Sequence, residues 1–284
     1  MRSVVITGTS TGIGWGTTKV LIEHGFRVFG SVRKTSDAER LSLEFGENFV
    51  PLLFDVTDEV AVKAAAADVR RALAGERLFG LVNNAGVAIA GPLLELPTEE
   101  VRRQIEVNLV GVVIATKAFT PLVGTDPALK GPPGRIINIS SVGGRNAVPF
   151  LAPYAASKFA LEGLSESLRR ELLPFGIDVI VIAPGAVATP IWGKAEQIDV
   201  TPYRDTPYAN ALERMRAYML GLGKQGLPPE RIGEAVLHAL TTAKPKVRYA
   251  VTPRPLQDFL ARNLPKRMVD RMIGGRLGLL PQRQ

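Results

Sequence analysis

"VVITGTSTGIGWGTTKVL", residues 4–21, is the stretch on which the fold turns. It opens with Val4, Val5 and Ile6, an apolar β-branched run of the kind that fills a buried strand. A helix-like stretch follows near residues 13–24, and Gly8, Gly12 and Gly14 stand at the junction. Glycine there lets the chain turn sharply and lets the backbone approach a ligand with no Cβ in the way. The helix then presents free N–H groups and the positive end of its dipole to a phosphate. Ser10, Thr11 and Ile13 complete the candidate phosphate turn. The spacing is G-x3-G-x-G, which differs from the G-x-G-x-x-G of the common dinucleotide fingerprint.

Working outward, the same alternation continues. Apolar runs lie at 27–32, 49–54, 78–84, 135–140, 178–184 and 248–253. Helix-like stretches lie near 36–45, 58–74, 98–122, 153–174 and 229–242. Continuous apolar strands separated by helices imply a parallel sheet covered on both faces. The expected fold is α/β, a doubly wound Rossmann-type sheet of about seven strands with helices on both faces. No repeat and no Gly/Ser linker divides the chain, so residues 1–284 read as one domain. Residues 123–135 carry three prolines and three glycines and read as an extended loop. Residues 185–228, which include Trp192, Tyr203, Tyr208, Met215 and Tyr218, form a long connection suited to a substrate region or an oligomer contact.

A second constellation lies in the fifth and sixth units. "PYAASKFALEG" (153–163) sets Tyr154 four residues before Lys158, and Ser141 precedes the tyrosine by thirteen. Four residues apart on a helix, two side chains share one face. A lysine ammonium beside a tyrosine favours the phenolate and lowers a pKa that starts near ~10. Such a pair can move a proton without histidine. The chain has two histidines and no cysteine, so neither a thiolate nor a histidine metal site is expected.

"TGTSTGIG", "DVTD" (55–58), "NNAG" (83–86), "NLVGVV" (108–113), "NISS" (138–141), "YAASK" (154–158) and "PGAVAT" (184–189) occur in one order. Together they resemble the short-chain dehydrogenase/reductase family, strongly over residues 3–190. The resemblance implies a nicotinamide cofactor along the carboxyl edge of the sheet and hydride exchange with an alcohol or carbonyl. It implies Tyr154 as acid in reduction and base in oxidation, with Lys158 lowering its pKa and holding the nicotinamide ribose. Ser141 would hold the substrate oxygen, with Ser140 the neighbouring alternative, and Asn108 would anchor a relay water. Asp55 would accept from the adenine amine while Val56 packs on the ring. Asn83, Ala85 and Gly86 would pass under the adenosine. Pro184, Gly185, Val187 and Thr189 would wrap the carboxamide. The interval from Asn108 to Ser141 is lengthened by the 123–135 loop.

Cofactor choice rests on the end of the second strand, where an acidic residue would bind both ribose hydroxyls. That slot reads as Val32, with Arg33 and Lys34 next and no carboxylate opposing them. A guanidinium there can grip a phosphate, so NADP(H) is preferred and NAD(H) is the alternative. Val148, Phe150 and Leu151, with the apolar 185–228 region, suggest a small lipophilic alcohol or ketone substrate. The ending is similar to retinol and hydroxysteroid dehydrogenase-like members. A non-catalytic dinucleotide sensor or scaffold of the same fold is the rival reading.

The net charge is +8, from 35 Lys/Arg against 27 Asp/Glu. From Lys244 onward there are 10 Lys/Arg and 2 Asp/Glu, so this segment accounts for all of it. The balanced body gives no reason to expect nucleic-acid binding. No apolar run approaches the ~18 residues of a bilayer span, and the expected location is cytoplasmic. The 98–122 and 153–174 helices are the expected contacts of a homodimer or homotetramer. The basic amphipathic tail, 254–284, places Phe259, Leu260, Leu264, Met268, Val269, Met272 and Ile273 among basic residues, divided by Pro265. It is expected to close over the cleft or a neighbouring subunit, with peripheral membrane contact as the second reading.

Overall fold

The computed structural model describes residues 1–189 and 201–281. Within them, β1 (Ser3–Ile6), β2 (Arg27–Val32), β3 (Phe49–Leu53), β4 (Gly80–Asn83), β5 (Arg135–Ile139), β6 (Asp178–Pro184) and β7 (Arg248–Val251) form one sheet. Its order is β3-β2-β1-β4-β5-β6-β7, with every neighbouring pair parallel. Strand order reverses beside β1, and a crevice opens there at the carboxyl ends of β1 and β4. The first-turn glycines lie at that point.

Why both faces are covered is legible in adjacent residues. Val4 and Val5 are each fully buried, yet they belong to different cores because successive strand side chains point to opposite faces. On one face Val5, Phe29, Leu81 and Ile136 meet α3 (Glu59–Ala72) and α5 (Gly111–Thr120) through Val62, Val69, Ala115 and Phe119. On the other, Val4, Ile6, Val28 and Val82 meet α1 (Gly12–Glu23), α2 (Thr35–Phe45) and α8 (Pro229–Thr241) through Leu21, Leu41, Val236 and Leu240. The element order agrees with the doubly wound expectation.

Helix α4 (Thr98–Ile105) runs through a π-turn at Glu106–Val110 into α5. The run Thr98–Thr125 begins charged but holds an 18-residue window of mean hydropathy 1.6, long enough to cross a bilayer, and half of that window is buried inside the fold. It is an interior helix of the sheet's cover. Helix α6 (Ala152–Glu171) lies beside it.

A third, smaller cluster stands apart from the sheet. Phe150, Ala211, Leu212, Met215 and Leu277 are buried together, with Val148, Leu151, Tyr208 and Ile273 packed against them. It joins the segment before α6 to α7 (Ala209–Lys224) and α10 (Lys266–Leu277). Part of the long 185–228 connection is thus helical, as α7. The tail forms α9 (Pro255–Asn263) and α10, divided at Pro265 as its composition suggested. Trp192, expected in the substrate region, lies outside the described residues.

Helices α1 and α8 touch backbone to backbone. A Cβ on Gly16 would lie 2.6 Å from the Cβ and 2.7 Å from the carbonyl carbon of Pro229, and one on Gly233 would lie 2.8 Å from the Gly16 oxygen. Neither obstacle is a flexible side-chain end. Gly16→Ala should therefore destabilise the fold by about 1–3 kcal/mol, as overpacking does. A lowered denaturant midpoint at unchanged m-value checks it, and an unchanged midpoint counts against the rigid contact.

Candidate active site

The glycine turn is held from three sides. Gly8 (φ 73°) and Gly12 (φ 60°) adopt the left-handed conformation. A Cβ on Gly14 would sit 2.0 Å from the Gly8 oxygen. The Gly8 amide donates to Ser31 Oγ at 2.9 Å. Thr7 Oγ1 accepts from the amides of Asn84 (2.9 Å) and Ala85 (3.0 Å), and the Asn84 side-chain amide donates to the Thr7 and Gly8 carbonyls, both at 2.9 Å. Thr7, Ser31 and Asn84 were not among the sequence candidates. Their only sequence signal is a polar residue at the end of an apolar strand.

Helix α1 begins without help from its own sequence. Thr11 at its N-cap makes no side-chain cap bond, and its first turn holds no acidic residue. The first-turn N–H groups of a helix have no intrahelical partner, and among the described residues no side chain takes that role. An anion is the natural complement, so the residues present fit the diphosphate of a dinucleotide. Thr189, beyond β6, packs against this turn, 3.2 Å from where a Cβ on Gly12 would stand. Gly185 donates its amide to the Val251 carbonyl at 2.9 Å, and Val187 is buried.

The selectivity end differs from expectation in two respects. Val32 is only 2% exposed and packs in the core with Leu41 and Phe49, so this side chain faces away from solvent. Arg33 does have a carboxylate opposite, because the parallel register brings Asp55 Oδ2 to 3.6 Å from its Nη1. Arg33 nonetheless stays 68% exposed. Burial pulls the Asp55 carboxyl upward, but bonds from the Thr57 amide (3.0 Å) and hydroxyl (2.8 Å), with the Arg33 charge, leave it below its usual range. An open cleft of about 580 Å³ beside the turn is lined by Ser10, Thr11, Gly12, Trp15, Arg40 and Ala188 among others. Arg40 donates to the Ser10 carbonyl at 2.6 Å and pairs with Asp37 (3.3 Å) and Glu44 (3.4 Å). This second cation was missed by sequence reasoning. Lys34 caps α2 from an exposed position without a side-chain bond.

Under the expected adenosine side, Asn83 points inward. Its amide donates to Thr116 Oγ1 (3.0 Å) and Asn138 Oδ1 (2.9 Å), and the residue is buried. Val56 is seated in the core, where a Cβ on Gly111 would lie 2.7 Å from its Cγ2. Gly86 leaves room for Asn108, whose Oδ1 would be 3.2 Å from a Cβ there. Asn108 lies inside the π-turn and is buried. Its side chain accepts from the Val87 amide (2.8 Å) and donates to the Val87 carbonyl (3.0 Å) and Ser157 Oγ (3.1 Å). Gln104, also unforeseen, holds the Val87 carbonyl (2.7 Å) and the Ile89 amide (2.8 Å).

At the centre, Ser141, Tyr154 and Lys158 converge. Ser141 leaves β5 in extended geometry, and its Oγ accepts from the Gly143 amide at 3.0 Å. The Tyr154 ring stands beside it, since a Cβ on Gly143 would lie 3.2 Å from the Ser141 Oγ and 3.6 Å from the Tyr154 Cε1. Lys158 is 6% exposed; its Nζ donates to the Ile139 carbonyl at 2.9 Å and lies 5.9 Å from the Tyr154 ring centroid. Burial pushes the Tyr154 phenol above its ordinary range, against a smaller lowering by the neighbouring Ser141 hydroxyl. The sequence expectation was a lowered phenol. Burial wins, and the ammonium is engaged with the Ile139 carbonyl instead. Burial also brings Lys158 down to about 8. The loop itself is braced by Glu162, which accepts from Arg248 Nε (2.9 Å) on β7 and Arg145 Nε (3.2 Å) beside the Ser141 turn.

A hydroxyl, a phenol and an ammonium at the carboxyl edge of a parallel sheet, next to an anion-ready glycine turn, define a dinucleotide-dependent oxidoreductase site. The chain belongs to the short chain dehydrogenase family, whose sequence model matches residues 2–199. It is 39% identical over 274 residues to the NADPH-dependent 3-dehydrocapnine reductase of Ornithobacterium rhinotracheale, covering 96% of each chain. The fold is similar to a short-chain dehydrogenase from Streptomyces avermitilis, with TM-score 0.74, 27% identity and coverage of 98% and 97%. It is also similar to the 3-ketoacyl-(acyl-carrier-protein) reductase of Brucella melitensis solved with NADH, with TM-score 0.70, 26% identity and coverage of 88% and 96%.

The lysine gives a pH signature. Between pH 8 and 10.5 the unfolded chain still holds this proton while the folded one has released it, so the Lys158 contribution makes stability rise with pH across that window. NMR titration of the cofactor-free protein should place the Lys158 midpoint near 8. A midpoint at the ordinary lysine value, 10.5, would show that the ammonium is solvated.

Proposed function

We propose that the protein reduces a lipophilic ketone to a secondary alcohol with NADP(H), with Tyr154 as the proton donor and the reverse oxidation available to the same residues. The observation that carries this reading is the convergence of Ser141 and Tyr154 beside Gly143, where a Cβ would lie 3.2 Å from the Ser141 Oγ and 3.6 Å from the Tyr154 Cε1, with the buried Lys158 Nζ 5.9 Å from the phenol ring centroid. A bound nicotinamide would supply the hydride. Negative charge developing on the carbonyl oxygen would meet two hydroxyl donors already in position. The raised phenol keeps its proton at neutral pH, which suits the donating role. Lys158, one turn along α6, would hold the cofactor ribose and replace the proton. Asn108, whose side chain ties the loop after β4 to Ser157, would leave its main chain to hold a relay water.

The substrate class follows from the cluster beside the site. Phe150 has φ 63°, and its carbonyl accepts from the Gly91 amide at 2.8 Å. A non-glycine residue held in that conformation stores strain that its surroundings must outweigh. Its ring meets Tyr208 edge-on at 6.0 Å, over Leu212 and Met215. Those apolar walls suit a lipophilic chain. The relative named as a 3-dehydrocapnine reductase favours reduction, and its NADPH dependence favours the phosphorylated cofactor. Arg33 and Arg40 flank the turn where a 2′-phosphate would lie. Asp55 competes for Arg33, so NAD(H) remains the alternative. We take the chain to act as one domain, in the cytoplasm, as a homodimer or homotetramer. The scaffold reading loses ground because Ser141, Tyr154 and Lys158 are all present and assembled.

Tyr154→Phe should lower turnover by about 10²-fold or more while NADPH still binds. The assay is NADPH absorbance with a panel of ketones, and turnover within a few-fold of wild type would end the mechanism.

Arg33→Ala should cost NADPH about 1.5–3 kcal/mol of binding and leave NADH little changed. Titrating both cofactors checks it. This variant is a cleaner probe than Val32→Asp, which would bury a carboxylate in the core.

A further inference from the structure

Helix α10 has two apolar stripes, and only one is used. Val269, Ile273 and Leu277 recur at four-residue steps and face inward. Val269 and Leu277 are buried, and Ile273 packs on the cluster of Phe150, Leu212 and Met215. The inner stripe thus fastens α10 to that cluster. Met268 and Met272, also four apart, lie on the outer side and are exposed. On α9, Leu256, Phe259 and Leu260 repeat at three- and four-residue spacing and are exposed as well. Together these five range from 44% to 70% exposed. Soluble surfaces seldom gather so many large apolar side chains without an occupant.

The charges beside the stripes select the occupant. Lys266, Arg267, Arg271 and Arg276 are exposed on α10. Arg271 lies three residues after Met268 and so borders the methionine stripe, while Arg276 lies over the Tyr218 ring at 5.0 Å. The segment from Lys244 onward carries the entire +8 of the chain. A two-fold contact would place this surface against its own copy, basic against basic. An anionic bilayer surface complements both features, because apolar side chains enter the acyl boundary while Lys and Arg stay at the headgroups.

We propose that α9 and the outer face of α10 form a peripheral docking surface for anionic lipid membranes. The inner face of α10 completes the apolar cluster around Phe150, and on the function proposed above docking would bring a bilayer to the side of a lipophilic substrate. The docking claim stands apart from the assigned reaction, since its readout is vesicle binding and needs no turnover.

The test is co-sedimentation of the full chain with phosphatidylglycerol-containing vesicles and with pure phosphatidylcholine vesicles. The wild type should bind the anionic vesicles only, and less as salt rises. Arg267→Gln with Arg271→Gln should lower the partition coefficient roughly 25-fold, about fivefold per charge. Met272→Asp should also abolish binding, with NADPH affinity kept as the control for folding. Equal binding to both vesicle types, or anionic binding that ignores these substitutions, overturns the proposal. So does an oligomer in sedimentation velocity that Met272→Asp dissociates without any vesicle binding, which would assign the face to a second copy.

Discussion

The site depends on one close approach, that of the turn after β1 to the loop after β4. There is no space between the Gly14 α-carbon and the Gly8 carbonyl for any side chain, since a Cβ would lie 2.0 Å from that oxygen. Gly8 is equally tight, with a Cβ there 2.9 Å from the Ala85 α-carbon. Thr7 and Asn84 lock the two segments with four hydrogen bonds, two of them closed by the Asn84 side chain. With these groups satisfied by protein, the first turn of α1 is left as the free donor set. The readiness of this turn for an anion comes from backbone packing.

From that clamp the rest follows along the sheet. Parallel register carries β5 and β6 past β4, so Ser141 and Thr189 emerge at the same edge as the glycine turn. Helix α6 starts at that edge and supplies Tyr154 and Lys158 one turn apart. Burial then sets their proton affinities in opposite senses, raising the neutral phenol's hold on its proton and loosening the lysine's. A charge brought by a bound cofactor would act on groups already poised in this way. Glu162, linking Arg248 on β7 to Arg145 beside Ser141, ties the reactive loop to the last strand of the sheet.

The tail illustrates how one helix serves two environments. Its inner stripe completes an apolar cluster too small to stand without the segment around Phe150. Its outer stripe stays in water beside the molecule's unbalanced positive charge. Periodicity in sequence reports that apolar residues share a helix, and a helix with two stripes reads as one broad face.

The sequence by itself determined the strand-and-helix alternation, the glycine turn and the Ser141–Tyr154–Lys158 set. Each is a local pattern: continuous apolar runs between helical stretches, glycine spacing, and a four-residue step on a helix, with Ser141 added by the family resemblance. Tertiary structure alone decided what those residues face. Asp55 reaches Arg33 only because β3 pairs with β2 in a register that no local pattern encodes. Val32 turns into the core because α2 and β3 pack over it, and Asn83 turns inward because Asn138 and Thr116 meet it across the sheet. The direction of the Tyr154 shift was likewise invisible in sequence, since desolvation depends on everything packed around the phenol and not on the lysine four residues away.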